Sequence, residues 1–391
     1  MGIKNIYYFS PYCLLRPTTN RIYDMRLCDG FSGHGKSVTI IHPFTYMEDN
    51  VSPKELPKVY GLHHEVKVRM MLTPLTEHAF KSWRFFSLLL FSALATIRIF
   101  VSVAFSRKKA LMISRDAKSL LPAIIFHKIF RKIVPVKIIY IAAEVKSNPI
   151  FKFVVQHVDG VIAGVSATRD AINKIVPLPP QKYILSLAPV PEPKVKCTKA
   201  EARKEIGYAE GKPLIVYTGK LGMDVNELLY IFEAARLLPD YEFLFTGGRP
   251  LAVESVKKYC ESKDVRNVRF TGFLNDSTYV RYYQLAADVL VSYYTAKDHP
   301  VEFNYPQKVN EYLTTGNPVV TPDFPATRDV LNKNNVIFVQ PDNPADLARG
   351  IKLAIQDKEL VERITRQASM DIRELSFDHR TAAFIRFAET L

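Results

Sequence analysis

Lys308 and Glu311 stand three residues apart within His299–Asp323, HPVEFNYPQKVNEYLTTGNPVVTPD. Tyr305-Pro306 predicts a helix start there, because proline is tolerated at the first helical position, where its missing N–H has no partner anyway. Val309, Tyr312 and Leu313 recur at helical spacing, Gly316 stops the helix, and Pro318-Val319-Val320 begins a short buried strand. A helix N-terminus after a polar loop offers unbonded N–H groups and a positive dipole end, which suits an anion. Lys308 falls in that first turn, next to Gln307, where a cation opposes the dipole unless an anion is bound. Glu311 lies one turn on, within reach of a sugar hydroxyl. The plain alternative is an ordinary helix–strand unit of an α/β sheet, and this segment alone does not separate the two.

Three further turns follow predicted strands, and ligands of open parallel sheets bind beyond the carboxyl ends of strands. Gly219-Lys220-Leu221-Gly222 follows Leu214–Thr218, Gly247-Gly248-Arg249-Pro250 follows Glu242–Thr246, and Gly272-Phe273-Leu274 follows Val268–Thr271. Glycine-rich turns let backbone approach a ligand closely.

The order and spacing of these segments resemble the retaining glycosyltransferases of the GT-B fold, the large family 4 group. Glu311-Tyr-Leu-Thr-Thr-Gly316-Asn-Pro318-Val-Val matches the second half of that family's Glu-x7-Glu pattern. The first half departs: Phe303 stands at the expected Glu, with Glu302 one residue early. A sub-pattern, Ser-Pro-x-Lys-x-x-Glu, fits Tyr305–Glu311 without a gap, with Tyr in place of Ser. Ala286-Ala287-Asp288-Val289 also resembles the family's pre-strand signature, and the likeness is clear over about residues 210–375.

The resemblance implies transfer of a sugar from a nucleoside-diphosphate sugar, the substrate, to an acceptor hydroxyl with retention, and no cofactor. Lys220 and Lys308, with the helix start near Gln307, would stabilise the charge growing on the leaving diphosphate. Glu311 would hold the ribose hydroxyls. Phe273 and Leu274 mark the base-holding turn, and Gly219, Gly247, Gly248, Arg249 and Tyr305 complete the donor side. No Asp-x-Asp occurs in the chain, so a metal-bridged reaction lacks its usual ligands and no metal is expected. Val225 stands where the family has a second phosphate-contacting Lys. Tyr140-Ile-Ala142-Ala143-Glu144 lacks the His that relatives carry near the transferred sugar. Glu144 remains to contact the donor sugar or acceptor, and the missing His keeps a catalytically silent subunit as the alternative. Arg16, Asn20 and Arg115, at strand ends of the first half, are the acceptor-side candidates.

Another motif points elsewhere. Gly30-Phe-Ser-Gly33-His-Gly35-Lys36-Ser37 satisfies the Walker A expression. A phosphate-binding loop needs a strand before the glycines and a helix after. Here a predicted helix, Asn20–Phe31, comes first and a strand, Val38–His42, second, so the glycines read as a helix stop and turn.

The elements that must position these groups alternate strand and helix throughout, which implies parallel sheets with helices on both faces. The 391 residues predict two domains: 1–193, and 194–391 with a final helix at 376–391 returning to the first. The Pro-rich Ala188–Cys197 links them. The expected fold class is α/β, two Rossmann-like domains facing each other across a cleft. Cys13, Cys28, Cys197 and Cys260 show no metal spacing and no disulfide framework, as in a reduced cytoplasmic chain.

The net charge of +14 is uneven. Residues 1–195 hold 27 Lys and Arg against 12 Asp and Glu, and the rest of the chain is at −1. Phe85–Phe105 is the most apolar segment, with Arg98 its single charge and Lys81, Arg84, Arg107, Lys108 and Lys109 at its flanks. It has the length of a membrane span, but its Ser and Thr residues and central Arg98 dilute it. A buried or interfacial helix is expected, with the protein peripheral at the inner face of an anionic membrane. The acceptor is then a glycan or a lipid-linked molecule. No base-reading module accompanies the basic half, so no nucleic-acid partner is expected.

Overall fold

The computed structural model describes residues 2–15, 19–44, 52–72, 81–142, 145–186, 189–190, 193, 195–208, 211–219, 221, 226–274, 277–297 and 305–391. The chain divides into two compact units, Met1–Leu187 with Phe377–Leu391, and Ala188–Ser376.

The first unit runs β1 (Asn5–Phe9), α1 (Thr19–Gly33), β2 (Ser37–Phe44), α2 (Leu56–Tyr60), β3 (Lys67–Leu72), α3 (Lys81–Ser106), β4 (Ala110–Ser114), α4 (Ala117–Phe130), β5 (Val136–Ala142), α5 (Pro149–His157), β6 (Gly160–Ala163), α6 (Ser166–Ile175) and β7 (Tyr183–Leu185). Its seven strands pair in parallel in the order β3-β2-β1-β4-β5-β6-β7. β4 is buried at every residue, as expected of a strand covered on both faces. One face packs Phe31, Ile40 and Leu111 with Phe384, and the other packs Phe91, Phe100, Met112 and Phe151.

The second unit runs α7 (Lys199–Glu205), β8 (Leu214–Thr218), α8 (Asn226–Arg236), β9 (Glu242–Thr246), α9 (Pro250–Ser262), β10 (Val268–Gly272), α10 (Ser277–Ala286), β11 (Val289–Val291), α11 (Lys308–Leu313), β12 (Val319–Pro322), β13 (Ile337–Val339), α12 (Pro344–Gln356) and α13 (Lys358–Asp371). Its six strands are also parallel, in the order β10-β9-β8-β11-β12-β13. Strand order therefore reverses between β1 and β4 in one sheet and between β8 and β11 in the other, and such switch points are where α/β sheets open a crevice. Helix α14 (Phe377–Thr390) belongs to the first unit.

The Walker-like segment is helix first and strand second, but α1 runs two residues beyond its expected end, to Gly33. Gly30 is therefore inside the helix and not at its stop. A Cβ there would lie 2.7 Å from the Thr381 side chain on α14, so the glycine permits close helix packing. Lys36 donates to the Ile3 carbonyl at 2.9 Å and pairs with Glu389 at 3.3 Å, at the amino edge of the sheet.

Helix α3 is apolar on both its buried and its exposed face. Phe91, Ala95, Ile99 and Val103 enter the core, whereas Trp83, Phe86, Leu90, Leu94, Ile97 and Val101 form an exposed stripe at helical spacing. Phe85–Ser106 is long and apolar enough to cross a membrane, and 39% of its most apolar window is buried in the fold. Ile125, Ile129 and Ile133, on and just beyond α4, which packs against α3, are also exposed.

Candidate functional site

The carboxyl edge of the second sheet collects most of the donor-side candidates. Gly219 follows β8 and Gly247 follows β9, with φ of 152° and 125°. A Cβ on Gly247 would fall 2.0 Å from the Gly219 carbonyl oxygen. Backbone cannot yield there, so only glycine lets the two turns touch. The amides of both are already used: Gly219 N–H donates to Thr246 O and Gly247 N–H to Gly272 O, each at 2.9 Å. These glycines thus pack turn against turn. Gly248, φ 88°, packs beside Leu221.

Lys308 comes to this point from α11. Its ammonium lies 3.9 Å from the centre of the Tyr217 ring and 5.0 Å from that of Tyr294, and a Cβ on Gly219 would stand 2.9 Å from Nζ. Tyr217 is on β8 and Tyr294 follows β11, so the cation stands at the switch point. Each ring face contributes about 0.5–2 kcal/mol to holding a cation. The positive charge is fixed in place before any ligand arrives.

Other contacts anchor α11. Tyr312 is buried, accepts the Thr218 N–H at 2.8 Å, and donates to the Thr218 carbonyl at 3.2 Å. Burial raises its pKa and keeps the phenol neutral. The Tyr305 hydroxyl donates to Asn310 Oδ1, and burial raises its pKa as well. Glu311 Oε2 accepts from Gln284 Nε2 at 3.0 Å. Arg281, 8% exposed, donates to the backbone carbonyls of Glu311 and Thr314 at 3.1 and 3.0 Å, capping the end of the helix. Burial lowers the Arg281 pKa, partly offset by the Glu311 charge.

One expectation needs correction. Pro306 is not the first helical residue: Gln307 is the N-cap and α11 begins at Lys308, only six residues long. So short a helix has little dipole, and positive potential here rests on Lys308 itself. Gln307 is exposed. Arg249, also exposed, is the N-cap of α9, and Phe273 (69% exposed) and half-buried Leu274 follow β10 on the same edge. Lys220 and Glu144 lie outside the described residues, as do Arg16, Ala143, Val225, His299, Glu302 and Phe303.

Gln284 and Arg281 were not singled out from the sequence. Their signal is two polar residues at i, i+3 in YVRYYQLAAD, just before a buried strand, where a helix face ought to be apolar.

The first unit places Arg115 at its own switch point, after β4. Its Nη1 lies 3.4 Å from Asp24 Oδ1, which also accepts from the Tyr8 hydroxyl at 2.6 Å, and its guanidinium stacks 4.5 Å from the Tyr23 ring centre. Asp24 is 2% exposed, and burial pushes its pKa up to about 6 against the pull of Arg115 and Tyr8. Burial disfavours the Arg115 charge, but Asp24, Tyr8 and Tyr23 outweigh it, so its pKa ends above the ordinary value. Asn20 falls in the first turn of α1. Arg115, Asp24, Asp116, Lys118, Tyr140 and Lys146 line a cavity of about 110 Å³ beside this network. Among the described residues no cluster of three or more His, Cys, Asp or Glu is placed to hold a metal ion.

Residues 212–357 match the family model described as glycosyl transferases group 1. Among solved structures, a glycosyltransferase from Rickettsia africae aligns with a TM-score of 0.74 at 14% identity, over 100% of this chain and 99% of that one. Anabaena HepE in complex with UDP gives 0.73 at 13%, over the whole of both chains. Sucrose-phosphate synthase from Thermosynechococcus elongatus gives 0.73 at 14%, over 99% of this chain and 98% of the other. Comparison with curated sequences gave no match. The chain has the GT-B fold.

Proposed function

We propose that the protein is a retaining, metal-independent glycosyltransferase that moves a sugar from a nucleoside-diphosphate sugar to an acceptor hydroxyl. The observation that carries this is the Lys308 ammonium clamped between Tyr217 and Tyr294 against the Gly219 turn, inside the segment that matches glycosyl transferases group 1. Cleavage of the bond between the anomeric carbon and the phosphate oxygen adds one negative charge to the leaving diphosphate. A fixed cation lowers that barrier because it need not reorganise when the charge develops. HepE, which shares the fold, has been solved with UDP and with UDP-glucose, which supports a uridine-type donor for this edge of the sheet.

In this mechanism Lys308 and Lys220 hold the leaving diphosphate. Glu311, steadied by Gln284, receives the ribose hydroxyls. Glu144 orients the reacting sugar or the acceptor. Gly247 keeps the turns together so that Lys308 reaches the phosphate. Retention and independence from metal rest on the family resemblance and on the lack of Asp-x-Asp in the sequence.

The protein would work as a peripheral protein at the cytoplasmic face of an anionic membrane. The α3 stripe enters the interface, and exposed Arg107, Lys108, Lys109, Lys128, Arg131 and Lys132 meet anionic headgroups. The deciding experiment is a thermal-shift screen of nucleoside diphosphates and their sugars, followed by product analysis with the best donor. A ligand that binds only the folded state raises its melting temperature. Stabilisation with turnover supports an enzyme. Stabilisation without turnover across many acceptors favours a silent subunit, and no stabilisation by any nucleotide removes the donor site.

A further inference from the structure

Gln284 on α10 is 2% exposed, and a buried amide is costly unless its polar atoms find partners. Its Nε2 donates to Glu311 Oε2 at 3.0 Å and to Thr218 Oγ1 at 3.4 Å. Its Oε1 accepts from Arg281 Nη1 at 3.3 Å. These partners fix which way the amide faces. A guanidinium only donates and a carboxylate accepts, so the oxygen faces Arg281 and the NH2 group faces Glu311. Arg281 and Gln284 lie three residues apart on one face of α10, and Arg281 also donates to the Glu311 carbonyl. Helix α10 therefore braces α11 at Glu311 through both backbone and side chain.

Glu311 itself is half-buried, with Oε2 taken by Gln284 and Oε1 without a hydrogen-bond partner among the described residues. A glutamate with both oxygens loose samples several rotamers, whereas one oxygen held by a buried amide leaves the other aimed. The same amide reaches Thr218, the last residue of β8, beside the Gly219 turn where Lys308 stands. An acceptor ordered in advance rewards a ligand that brings a hydroxyl and rejects one that lacks it.

We propose that Gln284 is a specificity-determining positioning residue. Aimed by Arg281, it fixes the Glu311 carboxylate so that the site selects a ribonucleoside diphosphate over its deoxyribose counterpart. This rests on the reading of Glu311 as the ribose contact, and adds that Glu311 discriminates only while Gln284 holds it. A Gln284 that merely packs α10 against α11 would, when replaced, weaken all nucleotides alike.

The test uses the full chain and calorimetry with UDP and GDP, each beside its 2′-deoxy and 3′-deoxy forms. Wild type should bind the better ribonucleotide roughly ten- to a hundredfold more tightly than at least one of its deoxy forms, the worth of a hydrogen bond to a charged group. Gln284→Met is similar in length but lacks the donor. Its ratio should fall to within about threefold, through weaker ribonucleotide binding with the deoxy affinity kept. Gln284→Asn keeps the amide but withdraws it by one methylene, so its ratio should fall between the two, and it serves if the Met variant does not fold. Glu311→Ala should abolish the ratio, and adding Gln284→Met to it should change nothing more, since no carboxylate remains to be aimed. A wild-type ratio in the Gln284 variants, or equal losses for ribose and deoxyribose forms, would overturn the inference and leave the donor site intact. A wild-type ratio in Glu311→Ala would overturn the ribose contact and this inference with it, as would the lack of any ratio in wild type.

Discussion

At the switch point of the first sheet the central charges answer one another: Arg115 faces Asp24, and Asp24 faces Tyr8. At the switch point of the second, Lys308 faces aromatic rings and the Gly219 turn. The two sheets are built alike, with parallel strands reversing order about one central pair. What differs is how the cation is stabilised. Arg115 is held by a carboxylate and by the Tyr23 ring, whereas Lys308 stands over two ring faces, each of which favours a cation. The second unit thus holds an ammonium against a glycine turn at its switch point, and the first a guanidinium aimed by Asp24 and Tyr23.

The difference can be tested from the largest expected effect downward. The first unit's surface should bind vesicles containing anionic lipid, and changing Arg107, Lys108 and Lys109 together to Ser should weaken binding by about 3 kcal/mol, over a hundredfold. Co-sedimentation at low and high salt measures this. Protein that remains in the supernatant at low salt would make a soluble acceptor the better choice.

Asp24 gives the first unit a pH signature. Its pKa rises from the ordinary 3.8 to about 6 through burial, so the folded state holds that proton more tightly than the unfolded chain. The stabilisation is full below pH 3.8 and is lost as pH rises through about 6, a change of about 3 kcal/mol. Urea unfolding of wild type and Asp24→Asn across this window should show the slope in wild type alone. Parallel curves would mean the carboxylate is better solvated than its burial implies.

In the second unit, Lys308→Ala and Glu311→Ala should each reduce donor affinity or turnover roughly ten- to a hundredfold, the worth of one charge-assisted contact. Wild-type kinetics in both would dissolve the site. The smallest effect expected is none: turnover should persist in EDTA. Abolition with rescue by magnesium or manganese would show that a divalent ion shares the task assigned to the lysines.

What was legible in the sequence followed the range of the interactions. The strands and most helices of both units announced themselves through apolar runs, turn residues and spacing. Gly219, Gly247 and Lys308 were visible because strand-end turns are local in sequence. The start of α11 was misplaced because proline tolerates the last residues before a helix as well as its first turn. Gly30 was mistaken for a stop because its reason, Thr381, is far along the chain. The Tyr8–Asp24–Arg115 network was invisible for the same cause, since its members come from three separate elements. Segment hydropathy marked α3 as apolar but could not divide its residues between core and stripe, because both faces are hydrophobic.

Helix α14 has a consequence for how the protein is made. It fills the first unit with Phe384 against Phe31 at 4.9 Å, with Thr381 against Gly30, and with Arg380 bonded to Ser186 at 2.6 Å. Glu389 meets the Ile3 N–H at 3.1 Å and Lys36. Residues 188–376 of the second unit are one uninterrupted stretch of chain. A ribosome therefore delivers the whole of the second unit before the first can be sealed. At about 5–20 residues per second the first unit waits roughly 10–40 s with one side of its sheet incompletely covered. Nascent chains halted near residue 376 should thus carry a protease-resistant second unit beside a protease-sensitive first one, the reverse of the order in which the two were translated.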